Sequence, residues 1–594
     1  MRGNGELRTL SGLYEATMRT ITKTASILAG GLALALALAL ALAMGLALPA
    51  QAQPTDAAAI EQQQLQRQQE RDKALRERMA PRADVLHPES RPTAPQIPGN
   101  ETPCFPLREI QLVGPKAGEF PWLTNAADFD PGRQPCIGAK GVQVMLERMQ
   151  QALLQRGYVT SRVMAVPQNL NKGVLTIALI AGVLRETRFV DGSTGGTSLA
   201  TALPSRPGEL LQLRDIEQGL ENLQRVPNAV ADIQIAPADG AGAEPGQSDL
   251  VVSYRRAPPL RGNLALDNGG TQATGKTQAT ATVSWDNPLG LNDLFYFSYG
   301  GGVGNGGGRG TRSHAAHYSV PMGYWLVALT GSRNEYHQGV AGAYQSYTYS
   351  GTSSNADLKL SRVIQRDASS RTTVGVRLFH RTSNNYIDDT EVEVQRRRTS
   401  GYELSLSRRG YLRQAVLDAS LAFKRGTGAF GALRAPEEPW GEGTSRMKLF
   451  IADITLAGPF EVAGTHLKFS SAWHGQWNRT PLTPQDRIGI GSRYTVRGFD
   501  GESTLLAERG WYWRNEIGLP VGTGAEVFIA LDGGRVGGPS VRSLAGRSLA
   551  GTAIGMRGAW RALAYEISLS TPIRKPERLH TSRANLALNL AYSF

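Results

Sequence analysis

The sequence predicts a transmembrane β-barrel preceded by two small α+β units. From about residue 257 to the end, apolar residues alternate with polar or small ones. This pattern is typical of strands that have one face in an apolar environment. No run of about 18 apolar residues occurs after residue 48, so no later spanning helix is expected. The chain ends in NLALNLAYSF, with Tyr592 and Phe594 on its apolar face. We interpret this ending as the C-terminal signal of a barrel whose last strand closes against the first, rather than as the exposed edge of a soluble sandwich.

The N-terminal segment has the composition of a secretory signal peptide. Arg19 and Lys23 precede an apolar run at residues 27–48, and a small-x-small motif follows that run. We expect residues 1–52 to be removed; the alternative is a retained membrane helix. Met18 is a second candidate start.

Two segments separate this signal from the first folded unit. Residues 53–80 contain strong helix formers but few apolar residues, so a helix there must lie in water or in a polar cavity. Residues 81–103 contain six prolines, which predict an extended linker.

Residues 104–184 and 185–256 share one order of elements: a strand, an amphipathic helix and two further strands. They are structural spacers or, alternatively, a peptide-binding site, because the edge of a small sheet accepts an extended chain as a new strand. Cys104 and Cys136 in the first unit are most simply one disulfide of an exported protein. A metal site would need more ligands than two thiols, and none of the eight histidines is near either cysteine in the sequence.

The basic charge does not predict a nucleic-acid partner. The net charge is +13 and the pI is near 9.7, but lysine and arginine are scattered along the chain. They do not form a basic face interleaved with aromatic residues. The densest basic run, residues 396–398, is expected to be a solvated turn or loop at a strand end.

Residues 270–277 match the nucleotide-binding pattern GxxxxGK[ST], but the segments on either side of them argue against a nucleotide site. A phosphate-binding loop needs a strand before it and a helix after it. Here both flanks alternate apolar and polar residues, which predicts a β-hairpin, so we interpret the match as chance. The glycine-rich residues 300–310 are interpreted as a loop because no helix follows. With no GxSxG motif and no acid–base or metal constellation, no enzyme and no cofactor are predicted. The residues that match GxxxxGK[ST] are Gly270, Gly275, Lys276 and Thr277.

Three segments resemble a known family of exporters. They are residues 266–294, residues 319–325 and, most specifically, residues 488–520, which read IGIGSRYTVRGFDGESTLLAERGWYWRNEIGLP. They resemble the outer-membrane transporters of two-partner secretion, the TpsB family, which include hemolysin secretion/activation proteins and filamentous-hemagglutinin exporters. The resemblance implies, in order, a plug helix (53–80), a linker, two POTRA domains and a barrel of about 16 antiparallel strands at 257–594. The cysteine pair matches positions in the first POTRA domain of the family.

The resemblance also implies a functional loop. The tetrad Val496, Arg497, Gly498 and Phe499 would lie at the tip of a loop folded back into the barrel, and Arg497 would pair with an acid on the wall, placed at Asp532 in FIALDGG. Gly533 and Gly534 would leave the backbone room for a close approach. The alternative from the residues alone is a solvated Arg497 and a turn-forming Asp532. The competing acids are Glu502, Glu508 and Glu516.

The function implied is export of one large unfolded exoprotein, a hemolysin, adhesin or contact-dependent toxin, without ATP. The protein would lie in the outer membrane of a Gram-negative bacterium, with its POTRA domains in the periplasm capturing the exoprotein's N-terminal secretion domain. Outer-membrane lipid and the barrel-assembly machinery would be its other partners. The alternative is a barrel-insertion factor of the same superfamily; a P-loop ATPase and a passive porin are less favoured.

Overall fold

The computed structural model describes residues 70, 96–98, 101–132, 136–193, 196–239, 242–304, 308–341 and 345–594. The predicted signal peptide, the predicted plug helix other than Glu70, and residues 81–95 of the predicted linker lie outside this range. No helix in the described part is both long and apolar enough to cross a bilayer.

The first unit is a helix packed on a three-stranded sheet, as its sequence predicts. Met145, Met149 and Leu153 recur at helical spacing and are fully buried against the sheet. The sheet order is β1-β3-β2, with β1 parallel and β2 antiparallel to β3. The elements are β1 (Glu109–Val113), α1 (Ala139–Gln155), β2 (Arg162–Ala165) and β3 (Val174–Ile180).

The second unit repeats this plan. Its sheet has the order β4-β6-β5, with β4 parallel and β5 antiparallel to the central strand. Ile216 and Leu223 on α3 are buried against that sheet. The elements are β4 (Val183–Phe189), α2 (Leu199–Ala202), α3 (Leu213–Leu223), β5 (Ala229–Pro237) and β6 (Gln247–Arg256).

The remaining described residues form a closed barrel of sixteen long antiparallel strands, which confirms the predicted fold. The last strand pairs with the first, in the register Leu590↔Leu266 and Tyr592↔Leu264. The strands are β7 (Leu260–Asp267), β8 (Gln278–Asp286), β9 (Leu294–Gly302), β10 (Gly310–Met322), β11 (Trp325–Ala341), β12 (Ser346–Arg366), β13 (Ser370–Ile387), β15 (Arg397–Leu412), β16 (Ala415–Thr427), β17 (Lys448–Val462), β18 (Thr465–Asn478), β21 (Arg509–Val521), β22 (Ala525–Gly537), β23 (Ser548–Trp560), β24 (Leu563–Arg574) and β25 (Asn585–Ser593). Three short strands are additional: β14 (Thr390–Glu391), β19 (Ile488–Ile490) and β20 (Leu505–Ala507).

The two faces of the barrel wall differ in polarity, as the alternation predicts. Outward side chains such as Leu329, Ile529 and Leu569 are more than half exposed on the bare protein. Such a continuous apolar band would be costly in water and is satisfied in a bilayer. The inward side chains are mostly polar, and Asn385 and Asp532 are almost completely buried there.

The two ends of the barrel are also different. The end that we call proximal has short turns and contacts the second unit. There Arg366, which is 1% exposed, donates to Glu221 at 2.7 Å, and Asn222 donates to the carbonyl of Gly323 at 2.8 Å. The end that we call distal carries longer connections, including residues 428–447 and 479–508.

The basic run 396–398 is less solvated than predicted. Arg396 forms an ion pair with Glu391, at 2.6 Å, and Arg397 forms one with Glu437. Its position at the start of β15 agrees with the prediction, but both arginines are paired with acids. Glu391 is only five residues from Arg396, whereas Glu437 is 40 residues from Arg397, and such a long-range partner is not visible in the local sequence.

Candidate functional site

The connection between β18 and β21, residues 479–508, folds back into the barrel lumen. Within it β19 pairs with β20, in the register Ile488↔Ala507. Its apolar side chains form one buried cluster with residues of the barrel wall, including Val536 and Leu549. The loop and the wall therefore share a small apolar core inside a polar cavity. The buried loop residues are Ile488, Ile490, Val496, Phe499, Leu505 and Ala507.

Arg497, at the tip of the loop, forms a two-pronged ion pair with the wall. Its Nε lies 2.7 Å from Asp532 Oδ2 and its Nη2 lies 2.9 Å from Asp532 Oδ1. The backbone N–H of Arg497 donates to the same carboxylate at 3.0 Å. In this geometry two N–H groups of the guanidinium face the two oxygens of the carboxylate, and both side chains are buried. The loss of Arg497 would leave the buried Asp532 carboxylate only the more distant Arg514, at 4.0 Å.

Glu516, which is a competing acid in the sequence, binds Arg497 together with Asp532. Arg497 Nη1 lies 2.6 Å from Glu516 Oε2. The other oxygen of Glu516 lies 2.6 Å from Arg557 Nη2, and Arg557 also pairs with Glu526. The tip thus joins a chain of alternating charges along β21, β22 and β23. Sequence reasoning missed Arg557 because its partners are set by strand register.

The other two competing acids do not contact Arg497. A carboxylate oxygen of Glu502 accepts the backbone N–H of Gln272, at 3.1 Å, in the turn between β7 and β8. Glu508 lies 3.5 Å from Arg487 and also accepts from Ser540.

Two glycines allow the tip to approach the wall closely. Gly498 has a φ of +106°, which disfavours other residues, and an added Cβ would lie 2.5 Å from the carbonyl oxygen of Thr571. On the wall, a Cβ on Gly551 would lie 1.9 Å from the carbonyl oxygen of Arg497. Gly534 is also close, with Val496 Cγ2 at 3.1 Å from such a Cβ, whereas Gly533 is open. The prediction that Gly533 leaves room for the loop tip is therefore wrong. Gly551, which does leave this room, was not identified from the sequence.

The descending arm of the loop has a second anchor that sequence reasoning also missed. Asp486 Oδ1 lies 2.7 Å from Lys424 Nζ on β16 and 3.8 Å from Arg381 on β13. Leu482 is completely buried against an apolar patch on the wall. We call this set of contacts the stem anchor. The patch consists of Phe379, Leu449 and Ile451 on the wall and Met447 at the end of the distal loop 428–447.

Glu70 is the one residue of 53–80 that the structure describes, and it touches this loop. It is helical, and its carboxylate oxygens lie 3.0 and 3.1 Å from Ser492 Oγ. The loop therefore contacts the predicted plug segment as well as the wall.

The nucleotide-like motif is the hairpin turn that its flanks predict. The backbone N–H of Gly270 donates to the carbonyl of Lys276, at 2.9 Å, and Thr277 directly precedes β8. No helix follows to present N–H groups to a phosphate.

The first unit contains the disulfide Cys104–Cys136, with an Sγ–Sγ distance of 2.08 Å. It lies beside a second tie, in which the Glu101 carboxylate accepts N–H groups of Gly138, Lys140 and Gly141 at the start of α1. No cluster of three or more metal-ligating side chains occurs among the described residues.

Comparisons with known proteins agree with this architecture. Residues 246–558 match the family described as haemolysin secretion/activation protein ShlB/FhaC/HecB. Residues 105–182 match the POTRA domain of ShlB type, and residues 185–237 match a POTRA domain.

Relatives of similar length support the family match. The chain is 36% identical over 538 residues to the outer membrane transporter CdiB-2 of Burkholderia pseudomallei, covering 86% of this chain and 90% of that protein. It is 24% identical over 450 residues to the hemolysin transporter protein ShlB of Serratia marcescens, covering 75% and 77%. The solved structure of CdiB from Acinetobacter baumannii superimposes with a TM-score of 0.80 at 27% identity, over 91% of this chain and 100% of that one.

Proposed function

The chain belongs to the haemolysin secretion/activation family ShlB/FhaC/HecB and is an outer-membrane transporter of two-partner secretion, and we propose that loop 479–508 is its gate. The observation that carries this proposal is the position of the loop inside the lumen, anchored at its tip and at its stem. Barrels of 16 strands are wide enough for an aqueous channel when nothing fills them. An extended exoprotein would therefore have to displace the loop to pass.

The two POTRA units are the proposed receptor for the exoprotein. The second sheet ends in the edge strand β5, beside which an extended segment of the exoprotein would add. With these units in the periplasm, the proximal end of the barrel faces the periplasm and the distal end faces the outside. We infer that folding of the exoprotein outside drives export, because ATP is not available in the periplasm.

The tip anchor gives the first test of this gate. We expect Arg497→Ala to reduce export of the N-terminal fragment of the exoprotein, because Asp532 and Glu516 lose their shared cation in the lumen. The fragment outside the cell is measured by immunoblot at matched barrel levels. Arg535→Ala is the control, since Arg535 is an exposed arginine on the same strand as Asp532.

Two outcomes would contradict parts of the proposal. Equal export by Arg497→Ala and the wild-type chain would remove Arg497 from the gate. Export that persists without residues 104–256, while the barrel still reaches the outer membrane, would remove the POTRA units from recognition.

A further inference from the structure

A groove crosses the outer surface of the barrel, from the periplasmic end of β11 towards the distal ends of β16 and β17. The groove is open at the surface and has a volume of about 510 Å³, which is within the range of roughly 300–1,000 Å³ found for small-molecule sites. Outward apolar side chains from β11 to β17 line it, including Val374, Val376, Leu406 and Phe423. The chemistry of the export gate does not use this surface.

The register of the strands shows how the groove is oriented. Trp325, Arg362 and Val374 lie side by side on β11, β12 and β13. They are close to the proximal turns, where Tyr324 and Arg366 contact the second unit. From there the groove rises towards Phe423 and its neighbour Phe450, whose ring centroids are 5.0 Å apart. One end thus lies at headgroup level and the other lies deeper in the apolar band.

Arg362 is the charged group of this groove. It lines the cavity, its side chain is exposed, and its guanidinium carbon lies 5.0 Å from the centroid of the Trp325 ring. A cation on the lipid-facing surface is tolerated at the interface, where phosphate groups replace water. Arg408, which occupies a neighbouring outward position, donates instead to Ser370, at 3.0 Å. A guanidinium above an apolar groove is complementary to an anionic headgroup with an acyl chain.

We propose that this groove binds one glycerophospholipid of the periplasmic leaflet. Its phosphodiester pairs with Arg362, beside Trp325, and one acyl chain occupies the groove towards Phe423. This site goes beyond export and does not depend on the gate, since its only premise is that the barrel lies in the outer membrane. It differs from the general contact of lipid with the barrel, because here a charged side chain, Arg362, lines a concave apolar surface.

The chain contains a matched control for this distinction. Arg561 lies over Trp560, with its guanidinium carbon 5.5 Å from the ring centroid, in a proximal turn of the same barrel. This second arginine–tryptophan pair has the same chemistry and also lies at the proximal end of the barrel, but neither residue lines the groove. If lipid were bound only by a general girdle of basic and aromatic residues, both pairs would contribute equally to lipid binding.

The test is native mass spectrometry of the full chain in detergent with added phosphatidylglycerol. We expect the wild-type chain to retain one lipid, Arg362→Leu to bind it about tenfold more weakly, and Arg561→Leu to be unchanged. Val376→Phe should fill the groove and also weaken binding, whereas Val527→Phe, on the far strand β22, should not. Heat-modifiable gel migration verifies that each variant is folded.

Three results would overturn the proposal. Equal lipid retention by Arg362→Leu and Arg561→Leu would mean that lipid contacts the barrel without a specific site. Equal binding of uncharged diacylglycerol would remove the phosphate from recognition. Unchanged binding in Val376→Phe would place the acyl chain elsewhere.

Discussion

At the scale of single residues, Arg497 depends on positions that carry no charge. Its carbonyl oxygen packs directly on Gly551, and the next residue, Gly498, requires a left-handed backbone. The ion pair with Asp532 is therefore possible only because the wall has no side chain at this point. The resemblance identified the charged pair, but the space that it needs was not visible in the sequence.

A matched pair of alanine substitutions tests this requirement. Gly551→Ala should displace the loop tip, because its Cβ would lie 1.9 Å from the carbonyl oxygen of Arg497. Gly533→Ala should be tolerated, because the nearest atom to its Cβ, the carbonyl oxygen of Leu549, is 3.9 Å away. Hydrogen exchange of residues 491–500 in the full chain measures the displacement. Similar exchange in both variants would show that the tip does not depend on close approach.

At the scale of elements, the stem anchor holds the descending arm of the loop independently of the tip. Asp486 and Lys424 are both buried, so removing Asp486 leaves Lys424 uncompensated beside Arg381, at a cost of about 3–5 kcal/mol, whereas removing Lys424 leaves Asp486 only the more distant Arg381, at 3.8 Å. We expect Lys424→Met to increase hydrogen exchange at residues 482–490. The double variant Lys424→Met/Asp486→Leu should lose less unfolding free energy than the sum of the losses in the two single variants.

The exposed ion pair of Arg333 and Glu335 is the control for this cycle. Its members are 59% and 35% exposed, so their removal should change stability by no more than about 1 kcal/mol. Additive effects of Lys424→Met and Asp486→Leu would contradict a coupled stem anchor.

The second POTRA unit contains an ion pair that makes its stability depend on pH. Arg185 donates to Asp249 from Nε, at 2.8 Å, and from Nη2, at 2.5 Å, and these hydrogen bonds hold the pKa of Asp249 below its ordinary value. A carboxylate with a lowered pKa stabilises the fold above its unfolded pKa of about 4, and that contribution is lost as the pH falls through the folded pKa.

We therefore expect β4 and β6 to lose protection below about pH 4 in the wild-type chain. Asp249→Asn should be less protected at neutral pH and should change less on acidification. Hydrogen exchange, corrected for the intrinsic rate at each pH, measures both effects. Asp191→Asn, which alters an exposed carboxylate of the same unit, is the control. An unchanged acid response in Asp249→Asn would exclude this pair as the cause.

At the scale of the whole molecule, the sequence predicts the elements that follow from a periodic pattern. It does not predict the contacts that depend on the register between strands. Alternation along each strand is local, so the barrel and the order of its domains could be predicted. The contacts of Arg557 with Glu516 and Glu526 join three strands, and Lys424 and Asp486 are 62 positions apart. Their proximity follows only from the closed register of the barrel and the inward fold of the loop.

A covalent staple tests whether export requires the loop to move as a unit. Thr444 and Leu482 form a backbone bridge between the distal loop 428–447 and the stem, which brings their Cα atoms within the reach of a disulfide. We expect Thr444→Cys/Leu482→Cys to block export of the exoprotein fragment when oxidised and to restore it on reduction. The control is Ala419→Cys/Ile454→Cys, which joins paired wall strands and leaves the loop free. If the oxidised staple exports normally, the stem stays in place during transport, and only the tip or the plug can open the path.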